Sequence, residues 1–230
     1  MPAYQNDRPI GVAVEDYVKT IFALADGSTT GIVTTQALAA RLDVSAASAS
    51  AMMRKLEVLA LVALHPYHGV ALTPAGTGVA LEVLRHHRLL ELFLAQELGL
   101  SWDKVHDEAE VLEHAISEEL EALIALKLGN PTVDPHGDPI PSDDGRLEEE
   151  ATVVLEQLDV GNLGTLVRVS DADPEVLRYL DARGIRPGGT FEVVDKQPFG
   201  GPLFARFGGA ADVHPLGPGL TRAMRVRCDA

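Results

Sequence analysis

Cysteine is nearly absent. The 230-residue chain has one, Cys228, so no internal disulfide can form, and that fits a reducing compartment. Long apolar runs are missing as well. No stretch of about 18 or more apolar, uncharged residues occurs, and no membrane span is expected. The opening segment MPAYQNDRPIG lacks a basic stretch followed by an apolar one, so it does not read as a secretory signal. The expected location is cytoplasmic. Basic residues are scarce: 19 Lys+Arg face 34 Asp+Glu, for a net charge of −15. That argues against nonspecific attraction to nucleic acid. The excess is local. Residues 1–80 hold 5 basic and 6 acidic side chains, residues 81–150 hold 5 and 18, and residues 151–230 hold 9 and 10. A near-neutral N-terminal nucleic-acid reader with a local basic face remains compatible with these counts.

A 46% hydrophobic chain of this length is long enough for two or three compact units. Residues 11–25 place apolar side chains at 14, 17/18, 21/22 and 24/25, which predicts an amphipathic helix, followed by a turn over 26–31. Thr34 or Thr35 caps a short helix, and Ser45 caps a second. Residues 61–73 alternate and predict a hairpin turning at His68-Gly69. Thr73-Pro74 opens a long helix that Gly99 stops, and Ser101 caps another running to about Leu128. Residues 130–150, rich in Pro, Gly and acid, read as a linker with some local order. Beyond it, short runs (GTLVRV, TFEVVD, LFARF, AMRVRC) alternate with turns and one helix, PEVLRYLDARG, which predicts a small SH3-like β-barrel.

Helix, tight turn, helix, hairpin is the order of a winged helix–turn–helix. Ala39 supplies the small residue where the helices approach, and Val44 the apolar turn residue. The second helix opens on small side chains that can approach phosphates and base edges. The candidate DNA contacts are Thr35, Ser45, Ala47, Ser48, Ser50, Arg54 and Lys55, with His65, Tyr67 and His68 on the wing. The first turn of that helix has no Arg, Asn or Gln, so discrimination leans on apolar contacts and DNA shape.

Six metal-ligand side chains lie on the next two expected helices. His87 and Glu91 are one turn apart. His106, Glu110, Glu113 and His114 span about a 100° stripe of one helix. A lone histidine is usually a satisfied core or surface residue, and a glutamate-rich helix usually a solvated face. Six such positions together point instead to a divalent cation, for which neutral imidazole and carboxylate are suitable ligands. Asp16 lies apart, on the first helix. His86 points about 100° away from His87. His136 and His214 fall in Pro/Gly loops with no partner at ligand spacing.

The segment RHHRLLELFLAQELGLSWDKVHDEAEVLEHAISEEL resembles the dimerisation region of the iron- and manganese-dependent repressors of the diphtheria-toxin-repressor and manganese-transport-regulator type. AVEDYVKTIFAL, DPHGDPIP and DADPEVLRYLDARGIRPG resemble the same family in its form with a C-terminal SH3-like domain. The resemblance covers nearly the whole chain. It implies a mainly α protein with a small β domain: a winged helix–turn–helix over 1–75, a helical metal-binding and dimerisation domain over 76–140, a linker over 141–150 and the SH3-like domain over 151–230. It further implies a homodimer that binds operator DNA, is not an enzyme, and holds two metal ions per subunit. Carried over residue by residue, one site comprises His87, Glu91 and His106 with a residue of the SH3-like domain, Asp173 in first place and Asp171 and Glu175 as alternatives. The other comprises Asp16, Glu110, Glu113 and His114. Iron-type members have Met and Cys where this chain has Asp16 and Glu110. Oxygen ligands there suit Mn²⁺, with Fe²⁺ as the alternative. Position 19, a further carboxylate in manganese-type members, is Lys19, and a charged lysine does not ligate. The implied function is a Mn²⁺-dependent repressor of metal-uptake genes.

Two other classes compete. A metalloenzyme would need an open coordination position and a general base, and no HExxH, nucleophile elbow or phosphate loop is present. A winged-helix regulator of an organic ligand would respond to a small molecule and not to metal.

Overall fold

The structure, a computed structural model, describes residues 10–26 and 30–229. The N-terminal segment 1–9 and the centre of the turn expected at 26–31 lie outside the described residues. The chain divides into two compact units. The first takes Met1–His87, Leu112–Ile116 and Pro141–Leu147, and the second takes the rest. The division falls inside one helix, between His87 and Arg88.

In the first unit, α1 (Val12–Asp26) buries Val14, Val18 and Ile21, a period-3.6 stripe, and leaves Glu15, Asp16 and Lys19 half-buried. Next come α2 (Thr35–Arg41) and α3 (Ala46–Val58). Thr34, not Thr35, caps α2 by accepting from Ala37 N, and Ser45 caps α3 by accepting from Ser48 N. Leu38, Met53 and Leu56 close the core with Val62, Val70, Val79 and Val83. Strands β1 (Val62–His65) and β2 (Gly69–Leu72) form the expected antiparallel hairpin, its turn at 66–68. Val33 bridges Val70, so a Cβ on Gly69 would stand 2.0 Å from the Val33 carbonyl oxygen; only glycine fits. Thr73 caps α4 (Pro74–Leu98) by accepting from Gly76 N, with proline at the first helical position.

The single helix expected from Ser101 to Leu128 is two. α5 covers Val105–Leu112 and α6 covers Glu118–Lys127. Ser117 interrupts them because its hydroxyl accepts from Leu120 N and three acidic side chains follow in the first turn. At the other end, Ser101 opens a turn rather than the helix.

The second unit holds a six-stranded antiparallel sheet in the order β3-β8-β4-β5-β6-β7. Its strands are β3 (Val153–Val154), β4 (Leu163–Val169), β5 (Thr190–Lys196), β6 (Leu203–Phe207), β7 (Val213–Leu216) and β8 (Met224–Cys228). β3 and β7, too short to show an alternating pattern, were not expected, and neither was α8 (Pro218–Ala223). α7 (Pro174–Asp181) covers the predicted helix. Trp102, from the segment before α5, is buried among Leu155, Leu166, Leu177, Val193 and Met224, so the helical region and the sheet share one core here. Within the stretch 130–150, the expected local order lies in residues 133–139. Val133 bridges Pro139, and Asp134 and His136 are buried.

Candidate metal centres

The first cluster belongs to the first unit. α1 contributes Glu15, Asp16 and Lys19, α4 contributes His86 and His87, and the turn after Leu112 contributes Glu113 and His114. Glu113 and His114 thus leave the helix on which the predicted stripe placed them. His114 Nε2 lies 2.9 Å from Asp16 Oδ1 and 3.4 Å from Glu113 Oε1. One ligand atom from each of the three lies within 4.8 Å of the others. His114 Nδ1 is 2.6 Å from Glu15 Oε2, which fixes the ring's orientation. Glu15 went unpredicted, although its place one residue before Asp16 puts it on a neighbouring part of the helix. The Glu113 side chain is 0% exposed. Lys19 Nζ donates to both of its oxygens at 2.8 Å, and His87 Nδ1 is 2.5 Å from Oε2. His86 Nδ1 is 3.1 Å from the Glu113 carbonyl oxygen and so steadies the turn. His87, expected with Glu91 and His106, meets Glu113 and Lys19 through its Nδ1.

The second cluster belongs to the second unit. Glu91 of α4, His106 of α5 and Asp171 beyond β4 place one ligand atom each within 4.8 Å. His106 Nδ1 is 3.0 Å from Asp171 Oδ2 and 3.3 Å from Glu91 Oε1. Glu110, one turn beyond His106, has Oε1 3.8 Å from its Nε2. Asp173, first choice in the sequence, is taken up elsewhere: its carboxylate caps α7 by accepting from Glu175 N at 2.9 Å. The carboxylate that reaches His106 is Asp171. The reason is the Asp-Pro pair, which makes a helix start and turns Asp173 into its cap. Glu175 lies in the first turn of α7 with its side chain on Arg178.

Sequence reasoning also missed His136. It is 0% exposed, neither ring nitrogen makes a hydrogen bond, and Nε2 faces Glu91 Oε1 at 3.9 Å. Its backbone N–H and that of Asp138 both donate to Asp134 Oδ1, at 2.8 and 2.9 Å, and Trp102 stacks on its ring. Spacing could not reveal it, because its partners come from distant parts of the chain; the one available signal was its place inside the DPHGDPIP segment.

Charge is unbalanced around this cluster. Hydrogen bonds to Asp171 and then Glu91 raise His106 to a pKa of about 10, against the opposing effect of burial. Burial pushes the Asp171 carboxyl up, but the hydrogen bond and charge of His106 outweigh it and leave it below its ordinary value. Burial, then the charges of Glu91 and Asp138, push Asp134 well above the usual carboxylate range. Arg88, 3.9 Å from Asp134, and Arg168, 3.0 Å from Asp138, offset part of that charge. A buried imidazole without hydrogen bonds beside several buried carboxylates is costly unless a cation joins them. The donor set, imidazole nitrogen and carboxylate oxygen throughout, fits a divalent ion of the Mn²⁺ or Fe²⁺ class. Cys228 lies exposed at the end of β8 and belongs to neither cluster.

The predicted DNA-contacting residues sit on α2 and α3. Ala49, Met53 and Leu56 face the core, which leaves Ala47, Ser48, Arg54 and Lys55 exposed and Ser50 half-buried. Ser45 and Ser48 hydroxyls lie 2.9 Å apart, and Thr35 Oγ1 donates to Met53 Sδ at 3.5 Å. No helix among the described residues is long and apolar enough to cross a membrane.

Three known domain families match. Residues 11–70 match the iron dependent repressor N-terminal DNA binding domain, residues 73–142 the iron dependent repressor metal binding and dimerisation domain, and residues 153–228 the FeoA domain. The diphtheria toxin repressor of Corynebacterium efficiens is 32% identical over 195 residues, covering 80% of this chain and 83% of the relative. A solved manganese-dependent transcriptional repressor, in complex with manganese, is 42% identical with a TM-score of 0.85 and covers 94% of this chain and 99% of its own. The structure of the manganese regulator SloR is 28% identical, with a TM-score of 0.72, and covers 94% and 98%. The chain belongs to the iron-dependent repressor family of metal-dependent, DNA-binding transcriptional regulators, in the form that carries a C-terminal SH3-like FeoA domain.

Proposed function

We propose that this regulator is a homodimeric repressor that responds to Mn²⁺, with Fe²⁺ as the alternative ion, through two sites in each subunit. Asp16, Glu113 and His114 would hold one ion, with Glu15 orienting His114. Glu91, His106 and Asp171 would hold the other, with His136 and Asp134 lining it and Glu110 adjoining His106. The observation that carries this reading is the meeting of Asp16 with Glu113 and His114, nearly a hundred residues further along the chain. A bound divalent ion supplies two positive charges and directional bonds at each cluster. Asp16 ties α1, which packs against the helix–turn–helix, to the turn bearing Glu113 and His114. That tie restrains α3, whose exposed small residues, Arg54 and Lys55 would meet the DNA. Glu15 and His86 hold His114 and the turn in place, so the ligands are arranged before the ion arrives. The absence of thiolate and thioether from both clusters supports manganese over softer ions. On α6, the exposed Leu120, Leu123 and Leu126 offer an apolar stripe that supports a dimer.

The test is fluorescence anisotropy on DNA selected from a random duplex pool in the presence of Mn²⁺, measured at fixed salt with Mn²⁺, Fe²⁺, Zn²⁺ or chelator. A coupling of about 1–3 kcal/mol raises affinity roughly 5–150-fold when metal is added. Asp16→Ala removes that rise and leaves the circular-dichroism spectrum unchanged. DNA binding that is equally tight in chelator overturns the reading.

A further inference from the structure

We propose that Lys19 is a built-in competitor for the ion at the first cluster: its ammonium holds the Glu113 carboxylate, already satisfies its charge, and so sets the Mn²⁺ concentration at which the site fills. The inference rests on the reading that Asp16, Glu113 and His114 hold a divalent ion.

Three observations carry it. Lys19 Nζ contacts both carboxylate oxygens of Glu113 at 2.8 Å, so its charge already sits against both of them. Glu113 has no exposed side-chain surface, so water does not stand in for a partner that withdraws. Lys19 follows Asp16 by three residues on α1, which places the ammonium on the same helix face as a proposed ligand. His87 Nδ1 lies 3.3 Å from the same ammonium and 2.5 Å from Glu113 Oε2, so the carboxylate is held from two sides. An ammonium has three donors and no lone pair, and it cannot join a coordination shell. It satisfies the same charge as a divalent ion would, and it repels that ion at short range. A lysine here lowers affinity in two ways: the metal-free carboxylate is already stabilised, and the filled site retains an adjacent positive charge. A salt bridge serving only the fold would leave metal affinity untouched once its charge was removed.

The experiment titrates Mn²⁺ into the chelator-stripped chain and reads free Mn²⁺ by its electron paramagnetic resonance signal, with melting temperature as the second readout. Lys19→Met is expected to bind Mn²⁺ at this site at least tenfold more tightly than the native chain and to show a larger rise in Tm on Mn²⁺ addition. Lys19→Gln reports the same change if the apolar side chain disturbs folding. Lys19→Arg, which keeps the charge, is expected to stay near the native affinity. His114→Ala identifies the site by removing one ion per chain. Native or weaker affinity in both Lys19→Met and Lys19→Gln, with the His114→Ala loss intact, overturns the role of Lys19 and leaves the site standing. An unchanged ion count in His114→Ala overturns the site itself and the role of Lys19 with it.

Discussion

Single side chains set the properties of both clusters, and two of them give direct tests. His106 has its pKa raised from 6.5 to about 10 by Asp171 and Glu91. In chelator-stripped protein its imidazolium therefore contributes stability that is fully present below pH 6.5 and is lost as pH rises toward 10. Denaturant unfolding of native chain and His106→Gln should differ most at pH 6 and converge above pH 10; a constant gap across that range rules out the charged pairing. Glu15 touches His114 at 2.6 Å on the ring nitrogen that faces away from Asp16. Glu15→Gln should weaken Mn²⁺ binding roughly 10–100-fold by loosening the ring, with an unchanged Tm in chelator. An unaltered Mn²⁺ isotherm removes Glu15 from the site. Residue types were legible in the sequence, and the family resemblance grouped Asp16 with Glu113 and His114, which lie together in the structure. Glu91, His106, Asp16, Glu113 and His114 were all singled out. His136 depended on contacts across long stretches of chain, and Asp171, named only as an alternative, stood behind Asp173, whose sequence context suits a ligand and a helix cap equally.

Elements place these groups through caps and close approaches. The Ser117 cap starts α6 afresh where one long helix was expected, and Glu113 and His114 lie in the turn between α5 and α6. Ser117→Ala should cost about 1 kcal/mol, read by urea unfolding; no loss implies that packing alone breaks the helix. Gly137 has φ +87°, and a Cβ there would lie 1.9 Å from the Val167 carbonyl oxygen. Gly137→Ala should destabilise by about 1–3 kcal/mol and, by shifting the turn that carries Asp134 and His136, weaken binding at the second cluster. Unchanged stability and metal binding show that the turn is not what seats His136. The helical period, Thr73-Pro74 and the hairpin pattern were readable because each is set by neighbours a few residues apart. The break at Ser117 was not, because the hydrophobic and acidic periodicity runs straight through it.

For the whole molecule, the proposed switch would be a coupling between metal and DNA, in which Mn²⁺ and DNA each tighten the other by the same factor. Calorimetric Mn²⁺ titrations with and without the selected duplex should differ roughly 5–150-fold in Kd; superimposable isotherms leave no switch. The acidity concentrated in residues 81–150 lies outside the helix–turn–helix, so the reading segment itself is close to neutral. Sequence alone sufficed for the order of domains, the winged helix and the sheet-rich C-terminal region, since composition, short-range periodicity and turn residues encode them locally. Which SH3-domain carboxylate reaches His106, the burial that leaves His136 without hydrogen bonds, and the grip of Lys19 on Glu113 arise only when remote segments pack together. Sequence spacing carries no record of those distances, and it is distance and burial that turn a histidine or a carboxylate into a site.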